Sequence, residues 1–135
     1  MKSLLLLTFF CFSLVSLSAQ KPKEIRELNL KTKTTWLTIK KGKKELNYKS
    51  SELRYDKSGD LIEIIEFNTK GDVTRHIAYQ YNDKKLTREI HFDKEGKIVQ
   101  RIEYIFSRNV LSEIKYFNSD SILEKKEQFI YEQQD

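Results

Sequence analysis

Beyond residue 32, apolar and polar positions alternate along most of the chain, and short polar clusters interrupt the alternation. Between 73 and 81 the odd positions hold Val73, Arg75, Ile77, Tyr79 and Tyr81, and the even ones Thr74, His76, Ala78 and Gln80. A period of two is that of a strand with one face turned inward. The interruptions are DKSGD (56–60), NTKGD (68–72), NDKK (82–85), DKEGK (93–97), SRNV (107–110) and NSDS (118–121). Three of them place Gly fourth of five, at Gly59, Gly71 and Gly96. A type I turn followed by a left-handed residue wants Gly there. Upstream, the pattern predicts a strand over Thr32 to Lys40, a turn at Lys41-Gly42-Lys43-Lys44, and a long, bulged strand over Glu45 to Tyr55. Residues 24–30 read as a further edge strand, with a short helix as the alternative. Short connections make consecutive strands antiparallel neighbours. The expected fold is all-β: a single antiparallel meander sheet of about eight strands.

The clusters recur at a fixed interval. Phe67, Phe92 and Phe117 are spaced 25 apart, as are Tyr81, Phe106 and Tyr131. Val73, Ile98 and Leu123 hold a second phase, and Leu86 and Leu111 a third. The strands from residue 51 onward thus read as 25-residue hairpin repeats. Carried outward from each turn without interruption, the register places Phe67 opposite Val73, Ile65 opposite Arg75, Ile77 opposite Ile90, Tyr81 opposite Leu86 and Phe92 opposite Ile98. One face then collects Ile65, Phe67, Ile77, Tyr79, Tyr81, Phe92, Tyr104 and Phe106. No helix is expected to cover it, so the sheet is expected to curl around this aromatic face.

The first 19 residues depart from this pattern. Lys2 precedes the apolar run Leu4 to Val15, and small residues follow at Ser16, Ser18 and Ala19. That order predicts a signal peptide cut at Ala19/Gln20, and the run is short of a bilayer span. The expected location is outside the cytoplasm: periplasm, outer surface or medium, with no stable membrane anchor. The chain's one cysteine, Cys11, lies inside the leader. The mature domain therefore has neither a disulfide nor a catalytic thiol.

Charge is uneven. Residues 20–50 hold ten basic and three acidic side chains, whereas 51–135 hold 14 basic and 17 acidic. This divides the mature chain into basic N-terminal strands (20–50) and hairpin repeats (51–135). Lys40, Lys41, Lys43 and Lys44, with Trp36 nearby, form a basic patch able to meet an anionic polymer or a membrane surface; the alternative is a lysine-guarded strand edge. Export argues against a nucleic-acid partner.

Catalytic and metal chemistry find little support. His76 and His91, the only histidines, face each other in the uninterrupted register. A pair at that spacing can touch Zn²⁺ or Cu²⁺, but a structural site needs four ligands. The pair reads as surface histidines, and no cofactor is implied. Glu89 opposite Arg101 and Glu103 opposite Thr87 read as cross-strand pairs that set register. No nucleophile elbow is present.

The unit Tyr55-Asp56-x-x-Gly59-x-Leu61, echoed at Phe92-Asp93-x-x-Gly96-x-Ile98, resembles the YD/RHS-type β-repeat over roughly residues 45–131. Tyr81-Asn82, Phe106-Ser107 and Phe117-Asn118 depart from the Tyr-Asp pair. The resemblance implies a short extracytoplasmic repeat protein, with too few repeats to close the hollow shell of large members and no catalytic residues. The expectation is a non-catalytic binding or structural module whose partner is another protein or an anionic envelope polymer. The alternative is a small extracytoplasmic enzyme or a carbohydrate-binding protein using the aromatic face.

Overall fold

The computed structural model describes residues 21–133; the leader expected over residues 1–19 lies outside them. Among the described residues the chain forms one helix, α1 (Pro22–Glu27), and eight strands: β1 (Thr32–Lys41), β2 (Lys44–Tyr55), β3 (Leu61–Phe67), β4 (Val73–Asn82), β5 (Lys85–Phe92), β6 (Ile98–Ser107), β7 (Val110–Asn118) and β8 (Leu123–Gln128). The strands form one sheet in the order β1 to β8, and every neighbouring pair is antiparallel. The all-β antiparallel meander expected from the turn chemistry is therefore the fold.

Two kinds of turn make six of the seven connections between the strands. The β2–β3, β3–β4, β5–β6 and β7–β8 turns begin with Asp56, Asn68, Asp93 and Asn118. In each, one side-chain oxygen accepts the backbone N–H groups two and four residues on, at 2.8–3.0 Å. An Asx oxygen thus holds the turn before the strands meet. The fourth residue is left-handed every time: Gly59, Gly71 and Gly96 at φ 80–86°, and Ser121 at φ 63°. The β4–β5 and β6–β7 turns are two-residue turns with both centres left-handed, at Asp83-Lys84 and Arg108-Asn109, the type I′ pattern. Ser121 bears a side chain where the other three turns have none. Ser121→Gly is expected to raise unfolding free energy by about 0.5–1 kcal/mol, the relief of left-handed strain less the entropy glycine adds to the unfolded chain. Urea denaturation beside wild type checks this, and a loss of stability counts against it.

Every strand pairing contains a register shift. The facing pairs nearest the turns agree with the turn rule: Tyr55 meets Leu61, Phe67 meets Val73, Asn82 meets Lys85 and Tyr81 meets Leu86, and Phe92 meets Ile98. One extra residue then follows on the outgoing strand, such as Thr74, Thr87 or Val99, so that Glu66 meets Arg75, Gln80 meets Arg88, and His91 meets Gln100. A bulge of this kind moves all later pairs by one position and increases the local twist. At Ser50, Thr87 and Ser112 the extra residue is a hydroxyl that donates across the ladder to the Thr35, Gln80 and Ile105 carbonyls, at 3.2, 3.1 and 2.9 Å.

The shift corrects the expected faces. Ile77 lies opposite His91, not Ile90, and Ile65 lies opposite His76, not Arg75. Glu89 lies opposite Ile102, and Glu103 opposite Arg88. Facing pairs and strand alternation place Tyr79, Tyr81, Tyr104 and Phe106 on one face and Ile65, Phe67, Phe92 and Phe117 on the other. The aromatic residues expected to share a face are thus divided. The buried apolar residues of the sheet, Leu53, Ile64, Ile77 and Ile102, all lie on the tyrosine-bearing face. Leu53, Ile64 and Ile77 form one row of facing partners across β2, β3 and β4.

Residues 22–27 form a helix, not the edge strand favoured above. Pro22 occupies the first turn, where its missing N–H costs nothing. Asn29 is left-handed, and the Leu30 and Asn29 N–H groups bond the Ile25 and Arg26 carbonyls, both at 3.0 Å, which stops the helix in a Schellman arrangement. Ile25 is fully buried. The helix sits against the β2–β3 turn, with backbone atoms of Pro22 and Arg26 beside Gly59, and beyond its end the Lys31 carbonyl accepts from Tyr55 N–H at 2.9 Å.

Candidate functional site

The two histidines do not meet. His76 lies opposite Phe92 and His91 opposite Ile77, on opposite faces of the sheet. The bulge at Thr87 separates them, since it shifts β5 by one residue against β4. Each histidine has a carboxylate partner instead. His76 Nε2 is 2.7 Å from Glu63 Oε1, and its ring stacks on Phe92 with centroids 4.4 Å apart. Arg54 donates to the other Glu63 oxygen at 2.6 Å. On the opposite face His91 Nε2 is 3.1 Å from Glu89 Oε2, while the Tyr104 hydroxyl donates to Glu89 Oε1 at 2.7 Å. Burial, and then the Glu89 carboxylate, push the Tyr104 phenol well above its ordinary range, so it remains a donor at neutral pH. Among the described residues no group of three or more His, Cys, Asp or Glu side chains is placed to hold a metal ion.

A denser ionic group lies on the β2 side of the His76 face. Lys49 Nζ donates to Glu52 Oε2 at 2.9 Å, and Arg54 Nε donates to Glu52 Oε1 at 2.9 Å. Lys49 also sits 4.5 Å from the centre of the Phe67 ring. The hydrogen bond from Lys49, and next that from Arg54, hold the Glu52 carboxyl below the ordinary glutamate value of 4.5. A carboxylate whose folded value is depressed stabilises the fold above its unfolded value, and that stability is lost as pH falls through the folded value. Wild type is therefore expected to lose stability below pH 4.5 more steeply than Glu52→Gln. Urea midpoints across that range test this, and parallel curves count against it.

The basic residues lie on the β1–β2 hairpin, built on a two-residue turn at Gly42-Lys43 with Gly42 at φ 61°. The lysines do not form one patch. Trp36, 61% exposed, shares a face with Lys40, whose ammonium is 3.6 Å from Glu45. Lys41 and Lys44 face each other on the opposite side, behind them Ile39 opposite Leu46 and Leu37 opposite Tyr48. Lys43 lies in the turn between the faces. The apolar row was missed in reading the sequence for charge, although the hairpin rule that pairs Lys41 with Lys44 also pairs Ile39 with Leu46.

Among the described residues, two surface depressions stand out. One, of about 620 Å³, lies by the β4–β5 and β6–β7 turns and is lined by residues including Asn82, Asp83, Lys85, Tyr104, Phe106 and Asn109. Lys85 Nζ spans it, donating to Asn109 Oδ1 at 2.6 Å and lying 5.2 Å from the centre of the Phe106 ring. The other, of about 390 Å³, is lined by Ile39, Lys41, Lys44, Glu45, Leu46 and Thr69. Glu89 and His91 line neither. Among the described residues no helix is long and apolar enough to cross a membrane.

Comparison with known family models, curated proteins and solved structures finds no match to this chain.

Proposed function

We propose that the chain is an exported, non-catalytic β-repeat module of the YD/RHS type that binds or braces another protein or an anionic envelope polymer. The observation that carries this reading is the open sheet itself. Eight strands in one layer leave both faces half exposed, and the charged β1–β2 hairpin stands at one edge. An open sheet offers long edges and two faces, the surfaces that binding modules use. The 25-residue spacing of turn and ring residues is the basis for treating 51–135 as repeats, and bulges that add twist support a curl toward the tyrosine-bearing face.

The test is expression with the leader in a Gram-negative host, then cell fractionation, mass analysis and envelope capture. The expected result is a mature chain beginning at Gln20 in the periplasm or medium. It is also expected to retain a defined envelope component, lost when Lys40, Lys41, Lys43 and Lys44 are replaced by Glu. An unprocessed chain confined to the cytoplasm sinks the export reading, and no specific retention sinks the binding reading.

A second reading has one observation in its favour. The larger depression sets the Tyr104 and Phe106 rings beside Asn82, Asp83 and Asn109, a combination suited to stacking and hydrogen-bonding a sugar. Saturable binding of an envelope polysaccharide that Tyr104→Ala abolishes would favour carbohydrate recognition over protein bracing.

A further inference from the structure

The β1–β2 hairpin outruns the sheet. Strand β3 pairs with β2 only over Ser51–Tyr55, while β2 starts at Lys44. The hairpin thus continues without a third strand for about 20 Å at the usual rise of a strand. A two-stranded ribbon is marginal in water unless something covers an apolar face. Here that face holds Leu37, Ile39 and Leu46, which are 43%, 36% and 44% exposed, together with Tyr48. Lys41 and Lys44 continue the same face toward the tip, and Lys43 lies at the turn.

We propose that this ribbon is a reversible docking element for a bilayer surface rich in anionic lipid. The apolar row lies at the acyl boundary, and the three lysines reach the phosphates of the headgroups. The inference rests on the binding-module reading and names a partner for its basic hairpin. Two features on one face carry it together. The lysines supply charge complementarity to an anionic surface. The apolar row supplies area that the acyl boundary of a bilayer covers and a soluble polyanion does not, since the polyanion would neutralise the lysines and leave Leu37, Ile39 and Leu46 in water. The ribbon is too short to span a bilayer and lies in the interface. Trp36 is on the far face and remains in water in this pose.

The experiment uses the chain purified as the cell processes it. Its sedimentation is measured with vesicles of phosphatidylcholine alone, and of phosphatidylcholine and phosphatidylglycerol in equal parts. A soluble polyanion, dextran sulfate, runs in parallel. The anionic vesicles are expected to bind roughly tenfold or more tightly than the neutral ones, with the difference shrinking as salt is added. Ile39→Ser with Leu46→Ser is expected to lower vesicle affinity roughly tenfold or more and to leave dextran sulfate binding unchanged. Lys41→Glu with Lys44→Glu is expected to weaken both. Equal binding to the two vesicle types overturns the proposal, as does full vesicle affinity in the serine variant. Dextran sulfate binding that survives such a failure leaves the binding-module reading in place, and its loss removes the anionic-polymer form of that reading. Should the serine variant not keep the wild-type circular dichroism, Trp36→Phe with Leu46→Trp decides. A blue shift of its emission on anionic vesicles supports the pose, and an unchanged spectrum overturns it.

Discussion

Gly59→Ala is expected to destabilise the protein by about 3–5 kcal/mol, well beyond the same change at Gly71 or Gly96. All three glycines are left-handed, at φ 85°, 86° and 80°, and each alanine incurs the strain of that region, about 1–2 kcal/mol. At Gly71 and Gly96 the new methyl meets nothing within 4 Å. At Gly59 it falls 2.1 Å from the Pro22 carbonyl oxygen, 3.0 Å from its carbon and 3.3 Å from Arg26 N. These are backbone atoms of the helix and cannot swing aside. The helix must lift off the β2–β3 turn, exposing the fully buried Ile25. Loss of that side chain's burial adds about 1.5–3 kcal/mol. Urea denaturation of the three variants measures the difference. Equal losses at all three sites would mean that the helix contributes nothing by docking there.

Ile64→Ala is expected to cost about 2–4 kcal/mol, and Ile65→Ala about half as much. Ile64 is buried between its facing partners Leu53 and Ile77, so truncation leaves a gap in the best-covered row of the sheet. Ile65 is half-buried on the other face, between Glu52 and His76, where water can fill the space. An uninterrupted register from the turns predicts the reverse, since it assigns Ile65 to the face with Ile77 and Tyr79. The two variants, compared by urea denaturation, therefore read the bulges directly. A larger loss at Ile65 would restore the simpler register.

Strands, turns and their order were legible because they rest on local chemistry. Asp56, Asn68, Asp93 and Asn118 bond their own turns through residues two and four positions on, and the alternation between turns carries the strand period. The histidine pairing was not legible. It depends on whether β5 is read with or without Thr87 as an extra residue, and a slip of one moves a side chain to the other face. The extra residues, Ser50, Ile62, Thr74, Thr87, Val99, Ser112 and Glu124, are not of a single type, although four of the seven bear a hydroxyl. The helix left signals that could have found it, namely Pro22 at its start, Glu24 in the first turn, Arg26 in the last and Asn29 beyond the end. The spacing of its apolar residues did not distinguish a six-residue helix from a strand.

On its own, the amino-acid order determined an antiparallel meander, the places where the chain reverses, and the concentration of lysine in the first hairpin. Each follows from residues within a few positions of one another. Tertiary structure decided which face each side chain joins, that His76 and His91 serve separate carboxylates, and that Leu37, Ile39 and Leu46 stand beside Lys41 and Lys44 on a ribbon without a third strand. Those outcomes depend on where neighbouring strands slip and where they end. Slippage and strand length are settled by backbone pairing between chain segments, which no local pattern encodes.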